Sequence, residues 1–365
     1  MAALRVLIAG GGTGGHIIPA LAVANDLVEH HRAEILFVGT PRGMEMRLVP
    51  DAGFNLRLID IGPLNSVPLK TKLRTVMHLP RNFSDCRRLV KEFKPDVVFG
   101  VGGYASGPAM AAALQLGIPT VAFEPNAIPG LANRLIGRWV QAAAVNFHSA
   151  VGWFRKAEVT GIPVRPEFFS LQPNPDALPH LFIFGGSQGA RLFNQTLPQI
   201  APALLSAIPK LTILHQSGAR NFDATLTAYN ASGADPTRWE VQPFLTDMPE
   251  RFRKATLVMA RSGAATVAEL AAASKPSLLV PFAAAADNHQ MRNAEEMVNV
   301  GAAVVLEEKQ LQDPSELRDE LIRLLGSPEK LAAMGAAART QAHLEAAERI
   351  VDRLLDAAAR GKARA

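Results

Sequence analysis

One cysteine, Cys86, in 365 residues excludes an internal disulfide framework and any cysteine-rich metal site, and it points to a reducing compartment. Aromatics are scarce, with two Tyr and three Trp, and no cluster interleaves them with Arg and Lys. That excludes a nucleic-acid stacking platform, although a formal net charge of +5 permits anionic partners in general, phosphorylated ligands and anionic lipid among them. No uninterrupted apolar run approaches the ~18–20 residues of a membrane span. The longest candidate, residues 109–123, is broken by Gln115, Gly117 and Pro119. The charged start of a signal peptide is missing too, and residues 4–9 are too few for its apolar core. These absences predict a cytosolic chain unless it lies on a membrane. No set of His, Asp and Glu at ligand spacing predicts a bound metal.

What is present is glycine in well-defined places. An apolar run over residues 4–9 reads as a buried strand and meets Gly10-Gly11-Gly12-Thr13-Gly14-Gly15-His16. A helical pattern then covers 17–30. A glycine turn between strand and helix lets backbone approach a ligand, with the N–H groups of the helix start aimed at it, so an anion is the expected guest. Gly10, Gly12 and Gly15 formally match the dinucleotide fingerprint, but the second strand ends Val38-Gly39-Thr40, where an acid should hold the ribose. A Walker A loop needs Lys-Ser/Thr where His16-Ile17 stands. The turn is neither common nucleotide loop.

The length allows two domains of roughly 100–200 residues, and 48% hydrophobic with 19% charged residues gives each a full core. Strands are expected at 34–38 and 55–61, with a short helix over 44–51 between them. This alternation marks a parallel α/β sheet with right-handed crossovers. Residues 70–92 interleave apolar residues with Lys and Arg, and Pro80 is expected to split them into two helices. The composition of this segment fits two solvated basic helices more simply than an amphipathic patch on anionic lipid. A strand over 95–100 runs into a second glycine turn, Gly100 to Pro108, then a small-residue helix and a strand ending at Glu124-Pro125-Asn126. Polar loops at the carboxyl ends of strands are where open α/β sheets hold ligands.

Residues 161–178 contain Pro163, Pro166, Pro173 and Pro175 and read as the linker. The pattern then restarts: a strand at 181–184, a third glycine turn (Gly185-Gly186-Ser187-Gln188-Gly189-Ala190) and a helix over 191–206. Strands follow at 211–215 and 239–242. Residues 254–287 repeat the scheme of 94–126, with Arg261-Ser262-Gly263 as the turn, so two similar Rossmann-like domains are expected. From Ser327-Pro328-Glu329, an N-cap with Pro at the first helical position, the chain is expected to be helical to about Ala359.

Three side chains admit both a plain and a chemical reading. His16 either caps a helix start or serves as a general base, a role for which a helix N-terminus favours the neutral imidazole. Glu269, early in the helix after Arg261-Ser262-Gly263, either complements the helix dipole or takes the two hydroxyls of a ribose. Arg165 is a surface charge or a phosphate partner. Ser187 in the third glycine turn would offer its hydroxyl and N–H to that phosphate.

Taken together, Gly10 to His16, Gly102-Gly103-Tyr104-Ala105-Ser106-Gly107-Pro108, Gly185 to Ala190 and Arg261-Ser262-Gly263-Ala264-Ala265-Thr266-Val267-Ala268-Glu269 resemble, in order, the signatures of the MurG family of glycosyltransferases. The resemblance spans almost the whole chain. It implies a GT-B fold, two Rossmann-like doubly wound domains facing across a cleft: residues 1–162 with about 343–365 on the acceptor and membrane side, and 163–342 on the donor side. It implies transfer of GlcNAc from UDP-GlcNAc, with inversion, to the C4 hydroxyl of MurNAc in the undecaprenyl-pyrophosphate-linked precursor lipid I, giving lipid II. Carried over by motif, His16 is the base. Ser187 and Arg165 contact the diphosphate or nucleotide, Glu269 the ribose, Leu245 the uracil, and Ala264, Ala265 and Thr266 the nucleotide and sugar. Gln290 contacts the GlcNAc, while Thr13, Gly14, Gly15 and Asn126 close on donor sugar and acceptor. Helix N-termini and Arg165 would take the diphosphate charge, so the scheme needs no metal and no cofactor in principle.

The resemblance also reverses the reading of the basic segment. A lipid-anchored acceptor must be met at the cytoplasmic face of the inner membrane, and Lys70, Lys72, Leu73, Arg74, Met77, Arg81, Phe83, Arg87 and Arg88 become the expected peripheral contact with an anionic surface. No nucleic-acid partner is expected. A non-catalytic binder of nucleotide sugar or lipid phosphate, or a transferase with another acceptor, would use the same scaffold, since fold alone does not fix function.

Overall fold

The structure, a computed structural model, describes residues 3–62, 69–171 and 177–363, with side chains described outside 69–76. Pro173, Pro175 and the side chains of Lys70, Lys72, Leu73 and Arg74 lie outside the described residues. The chain divides into two units, Met1–Pro163 with Glu345–Ala365, and Val164–Leu344.

The first unit alternates strand and helix. Its first half runs β1 (Arg5–Gly10), α1 (Gly14–His31), β2 (Glu34–Gly39), α2 (Glu45–Asp51) and β3 (Asn55–Leu58). Its second half runs α3 (Leu69–Phe93), β4 (Val97–Gly102), α4 (Ser106–Gln115), β5 (Thr120–Glu124), α5 (Leu131–Ile136), β6 (Ala142–Val145) and β7 (Ala157–Val159). All seven strands pair in parallel in the order β3-β2-β1-β4-β5-β6-β7. Strands covered on both faces are apolar throughout, as Val6, Leu7, Ile8 and Ala9 are here, each fully buried. The strand order reverses direction between β1 and β4, and the β1–β4 register slips at the last pair, after Ala9. The two glycine turns leave the sheet side by side at that switch point.

Two features correct the sequence expectation. Pro80 does not divide the basic segment, because α3 is continuous across it. A proline removes one N–H donor from the ladder, but an apolar stripe continues past it. Asn82, Cys86 and Val90 are buried, and Leu79, Phe83, Leu89 and Phe93 pack against the core at helical spacing. The Asn82 amide also donates to the Asp60 carbonyl at 3.1 Å. The second correction is that β6 and β7 complete the sheet. β6 is Ala142-Ala143-Ala144-Val145, with too little β propensity to show, and β7 has three residues.

The second unit opens with α6 (Pro166–Phe169), inside the expected linker. Phe168 and Phe169 are buried there, and Phe168 meets Phe252 edge-on at 5.1 Å, so this stretch belongs to a core. It continues through β8 (His180–Phe184), α7 (Arg191–Ala207), β9 (Thr212–Gln216), α8 (Phe222–Ala231), β10 (Trp239–Gln242), α9 (Met248–Lys254) and β11 (Leu257–Ala260). Then come α10 (Ala264–Ala272), β12 (Ser277–Leu279), α11 (His289–Asn299), β13 (Ala303–Val305), α12 (Pro314–Leu325) and α13 (Pro328–Arg339). The parallel order is β10-β9-β8-β11-β12-β13, with its own switch point between β8 and β11. The expected repeat is real: β4-α4-β5 and β11-α10-β12 occupy equivalent places beside β1 and β8.

The C-terminal stretch is not one helix. α13 stops at Arg339, whose guanidinium donates to the Ala272 carbonyl at 2.5 Å, and α14 (Ala346–Lys362) starts afresh in the first unit. The stripe Ile350, Val351, Leu354, Ala357 and Ala358 is buried there. Complete burial of Ile350 and Leu354 contributes about 1.5–3 kcal/mol each. The ion pairs of Glu158 with Arg349 (2.7 Å) and Arg353 (3.2 Å) are half-exposed and add little.

Candidate functional site

At the β1/β4 switch point two glycine turns pack directly on each other. A Cβ on Gly103 would overlap the Gly11 carbonyl, and a Cβ on Gly102 would come within 2.9 Å of the His16 ring at Cδ2 and Nε2. The second glycine turn is therefore the floor on which the imidazole lies. Thr13 caps α1, and its Oγ1 is 3.2 Å from His16 Nδ1. A Nδ1–H donating to that hydroxyl leaves Nε2 with its lone pair, the tautomer a general base needs. Thr13 is exposed, and Gly14, Gly15 and His16 are half-buried on the first turn of the helix.

Nothing in the sequence around residues 44–51 marks Glu45. It is fully buried and accepts the Gly12 N–H at 2.7 Å, so the glycine turn rests on a carboxylate. The Glu124 carboxylate, at the end of β5, is buried as well. It accepts the N–H and side-chain amide of Asn126 (3.0 and 3.2 Å), the N–H of Gly130 (2.9 Å) and the Asn133 amide (2.9 Å). Burial pushes its carboxyl up, and these four donors oppose that. Glu124 thus organises the loop, and Asn126 is the half-buried group the loop holds in place.

In the second unit the motif residues collect around the β8/β11 switch point. Ser187 is exposed in the turn after β8, and Ala264, Ala265, Thr266 and Glu269 sit on the first turns of α10, which Gly263 caps. Burial raises the Glu269 carboxyl from its ordinary value of 4.5 to about 7, while the neighbouring Arg165 guanidinium pulls the other way. Arg165, at the start of α6, thus acts electrostatically on the Glu269 carboxyl. Arg165 also lies over the Phe168 ring at 5.1 Å. Leu245 is buried in the loop after β10.

An open pocket of 790 Å³ is lined in part by Gly185, Gly186, Gly263, Thr266, Phe282 and Gln290. Gln290 Oε1 accepts the Phe282 N–H at 2.9 Å, so its amide group is what remains for a ligand. On the wall of this pocket Arg261 pairs with Glu308 at 2.5 Å and donates to the Val280 carbonyl at 3.0 Å. Glu308 in turn accepts the Ala283 N–H at 3.2 Å, which braces the stretch before Gln290. Among the described residues no group of three or more His, Cys, Asp and Glu side chains could hold a metal ion.

On α3, Met77 is 73% exposed, and Arg81, Arg87 and Arg88 are exposed too. Arg88 pairs with Asp85 at 3.1 Å and Arg81 lies 4.0 Å from the same carboxylate, which leaves Arg87 as the cation of the three with no acidic neighbour among the described residues. Phe83 is half-buried and packs in part against the core. Among the described residues no helix is long and apolar enough to cross a membrane.

Comparison with known proteins matches residues 6–145 to the glycosyltransferase family 28 N-terminal domain and residues 180–350 to the glycosyltransferase family 28 C-terminal domain. A protein of Solibacter usitatus (strain Ellin6076) is 44% identical over 360 residues, covering 98% of this chain and 97% of its own length. One from Anaeromyxobacter sp. (strain K) is 42% identical over 355 residues, covering 96% and 92%. Both are named UDP-N-acetylglucosamine--N-acetylmuramyl-(pentapeptide) pyrophosphoryl-undecaprenol N-acetylglucosamine transferase. The crystal structure of Acinetobacter baumannii MurG is similar with a TM-score of 0.82 at 31% identity, over 97% of this chain and 99% of that one.

Proposed function

The chain belongs to glycosyltransferase family 28, and from that premise we propose that it moves N-acetylglucosamine from UDP-N-acetylglucosamine to the C4 hydroxyl of N-acetylmuramate in lipid I, giving lipid II for peptidoglycan synthesis. One observation carries this reading: relatives matched over nearly their full length bear the name of that transferase.

The chemistry is an inverting displacement. The acceptor oxygen attacks the anomeric carbon, the bond from that carbon to the UDP oxygen breaks on the opposite face, and the electron pair leaves with the β-phosphate. His16 Nε2 takes the acceptor proton, with Thr13 holding Nδ1. Thr13, Gly14, Gly15 and Asn126 line the acceptor and donor sugar. In the second unit Glu269 accepts from the ribose hydroxyls and Leu245 packs on the uracil. Gln290 donates to the sugar, and Ala264, Ala265 and Thr266 follow the nucleotide with backbone N–H groups. Ser187, Arg165 and the start of α10 stabilise the charge that grows on the departing diphosphate.

The lipid carrier of the acceptor places the enzyme at the cytoplasmic face of the inner membrane, with the exposed face of α3, Met77 and Arg87 foremost, on anionic lipid. Purified protein given UDP-N-acetylglucosamine and a lipid I analogue releases UDP. Binding of the nucleotide sugar with no UDP release would leave a binding protein instead, and release with unrelated acceptors would leave a transferase of another specificity.

A further inference from the structure

Three glycines from separate stretches make room for one carboxylate. A Cβ on Gly11, at the end of β1, on Gly39, at the end of β2, or on Gly43, ahead of α2, would overlap the side chain of Glu45. That side chain is fully buried and makes no ion pair among the described residues. Four donors compensate it: the Gly12 N–H to Oε2 at 2.7 Å, the Thr40 N–H (2.9 Å) and hydroxyl (2.8 Å) to Oε1, and its own backbone N–H. Burial alone would raise its carboxyl, but the backbone and hydroxyl donors outweigh burial and hold it below the ordinary carboxylate range. The charge is therefore kept inside, between the ends of β1 and β2, directly under the loop that leads to Thr13 and His16.

We propose that Glu45 is a positioning residue for the acceptor half of the reaction: an internal anion that sets the Gly10–Gly12 backbone and thereby aims Thr13, Gly14, Gly15 and His16. This rests on the reading of the first unit as the acceptor side. Neighbouring bonds complete the clamp, with the Gly11 N–H donating to the Gly102 carbonyl at 3.3 Å and the Met44 N–H to the Gly12 carbonyl at 3.5 Å. A second consequence concerns the ligand. Because the Gly12 N–H is spent on Glu45, and the carboxylate repels another anion beside it, an acceptor pyrophosphate is received by the N–H groups of Gly14 and Gly15 at the start of α1, not by the preceding glycines.

The donor pattern makes Gln an unsuitable isostere. Gly12 N–H and Thr40 N–H reach different oxygens, so either orientation of a Gln amide turns its own N–H2 toward a backbone donor. Steady-state kinetics on E45Q, E45D and T40V, with both substrates varied, tests the proposal. E45Q is expected to raise the acceptor KM and lower kcat, together costing at least tenfold in acceptor kcat/KM, with a smaller rise in the donor KM. E45D, which keeps both oxygens, recovers part of the loss. T40V removes one donor with little change in volume and gives a smaller loss of about threefold in the same direction, which keeps the test available if E45Q folds poorly.

A merely structural role would reduce the amount of active enzyme and leave both KM values unchanged, and that result overturns the proposal. Wild-type kinetics in folded E45Q overturns it as well. H16A measured alongside separates the two levels of the argument. If H16A keeps full turnover, the reading of this loop as the acceptor side falls. If H16A loses turnover while E45Q and T40V do not, only the role of Glu45 falls.

Discussion

Replacing Glu269 by glutamine has opposite effects on folding and on donor binding. The carboxyl moves from 4.5 to about 7 on burial in the folded second unit. At about 1.4 kcal/mol per pH unit, this costs the folded state up to about 3 kcal/mol once the group is ionised in both states. The figure is an upper bound, since Glu269 is half-buried and keeps some water. The sign follows from proton binding. Between 4.5 and about 7 the folded state holds the proton that the unfolded state has lost, so stability is fully present below 4.5 and falls as pH rises through about 7.

The amide of E269Q does not titrate and carries no such dependence. In this variant the melting transition of the second unit should rise at about pH 8 by as much as roughly 6–12 °C, taking about 2–4 °C per kcal/mol for a unit of this size. At about pH 4 the gain should vanish. Donor affinity moves the other way, because hydrogen bonds from ribose hydroxyls to a carboxylate are worth roughly 1.5–3 kcal/mol, or ten- to a hundredfold in donor KM. Scanning calorimetry across pH and donor titrations on the same samples measure both. A variant that melts lower than wild type at about pH 8, or one with an unchanged donor KM, would refute the assignment of Glu269 as a carboxylate kept for a ligand at the expense of the fold.

Other substitutions probe the remaining parts. H16A should lower kcat by about 10²–10⁴-fold, the range for a positioned base, with UDP-N-acetylglucosamine affinity nearly unchanged in a binding titration; equal loss of both would remove the base assignment. T13V should lower kcat and shift the pH–rate profile relative to wild type; an unchanged profile would count against Thr13 as the group that sets the imidazole tautomer. R87E should weaken sedimentation with anionic vesicles more than R81E or R88E, because Asp85 already offsets those two; equal effects, or none, would count against α3 as the membrane face. L354A on α14 should destabilise the first unit by about 2–5 kcal/mol in denaturant titration, and a shift only in the second unit's transition would contradict the placement of that helix.

The parts of this molecule that were legible in the sequence are those whose chemistry is local. Each glycine turn lies between a buried apolar run and a helical pattern, so β1, β4, β8 and β11 and the turns after them could be read directly, and the 94–126 and 254–287 repeat followed from them. Arg165 and Glu269 are far apart in sequence, and the effect of one on the other belongs to the fold. Glu45 was invisible for the same reason. Nothing within residues 44–51 distinguishes it from a surface glutamate, and its partners Gly12 and Thr40 arrive from other segments. β6 was hidden by alanine, whose intrinsic preference is for helix, until β5 and β7 flank it. Pro80, and the part of the 161–178 stretch beyond the unit boundary at Pro163–Val164, differ from the local reading in a shared way. Proline signals a local break, and the stripe on α3 and the buried Phe168 and Phe169 override it through tertiary packing.

The central claim is a transfer between two named substrates, and the most direct test is to isolate the product. Enzyme incubated with UDP-N-acetylglucosamine and a lipid I analogue should yield one UDP per disaccharide, with the new bond β-configured at C4 of the N-acetylmuramyl residue, and no UDP without acceptor. An α-linked product, a bond at another hydroxyl, or UDP formed at the same rate without acceptor would contradict the account.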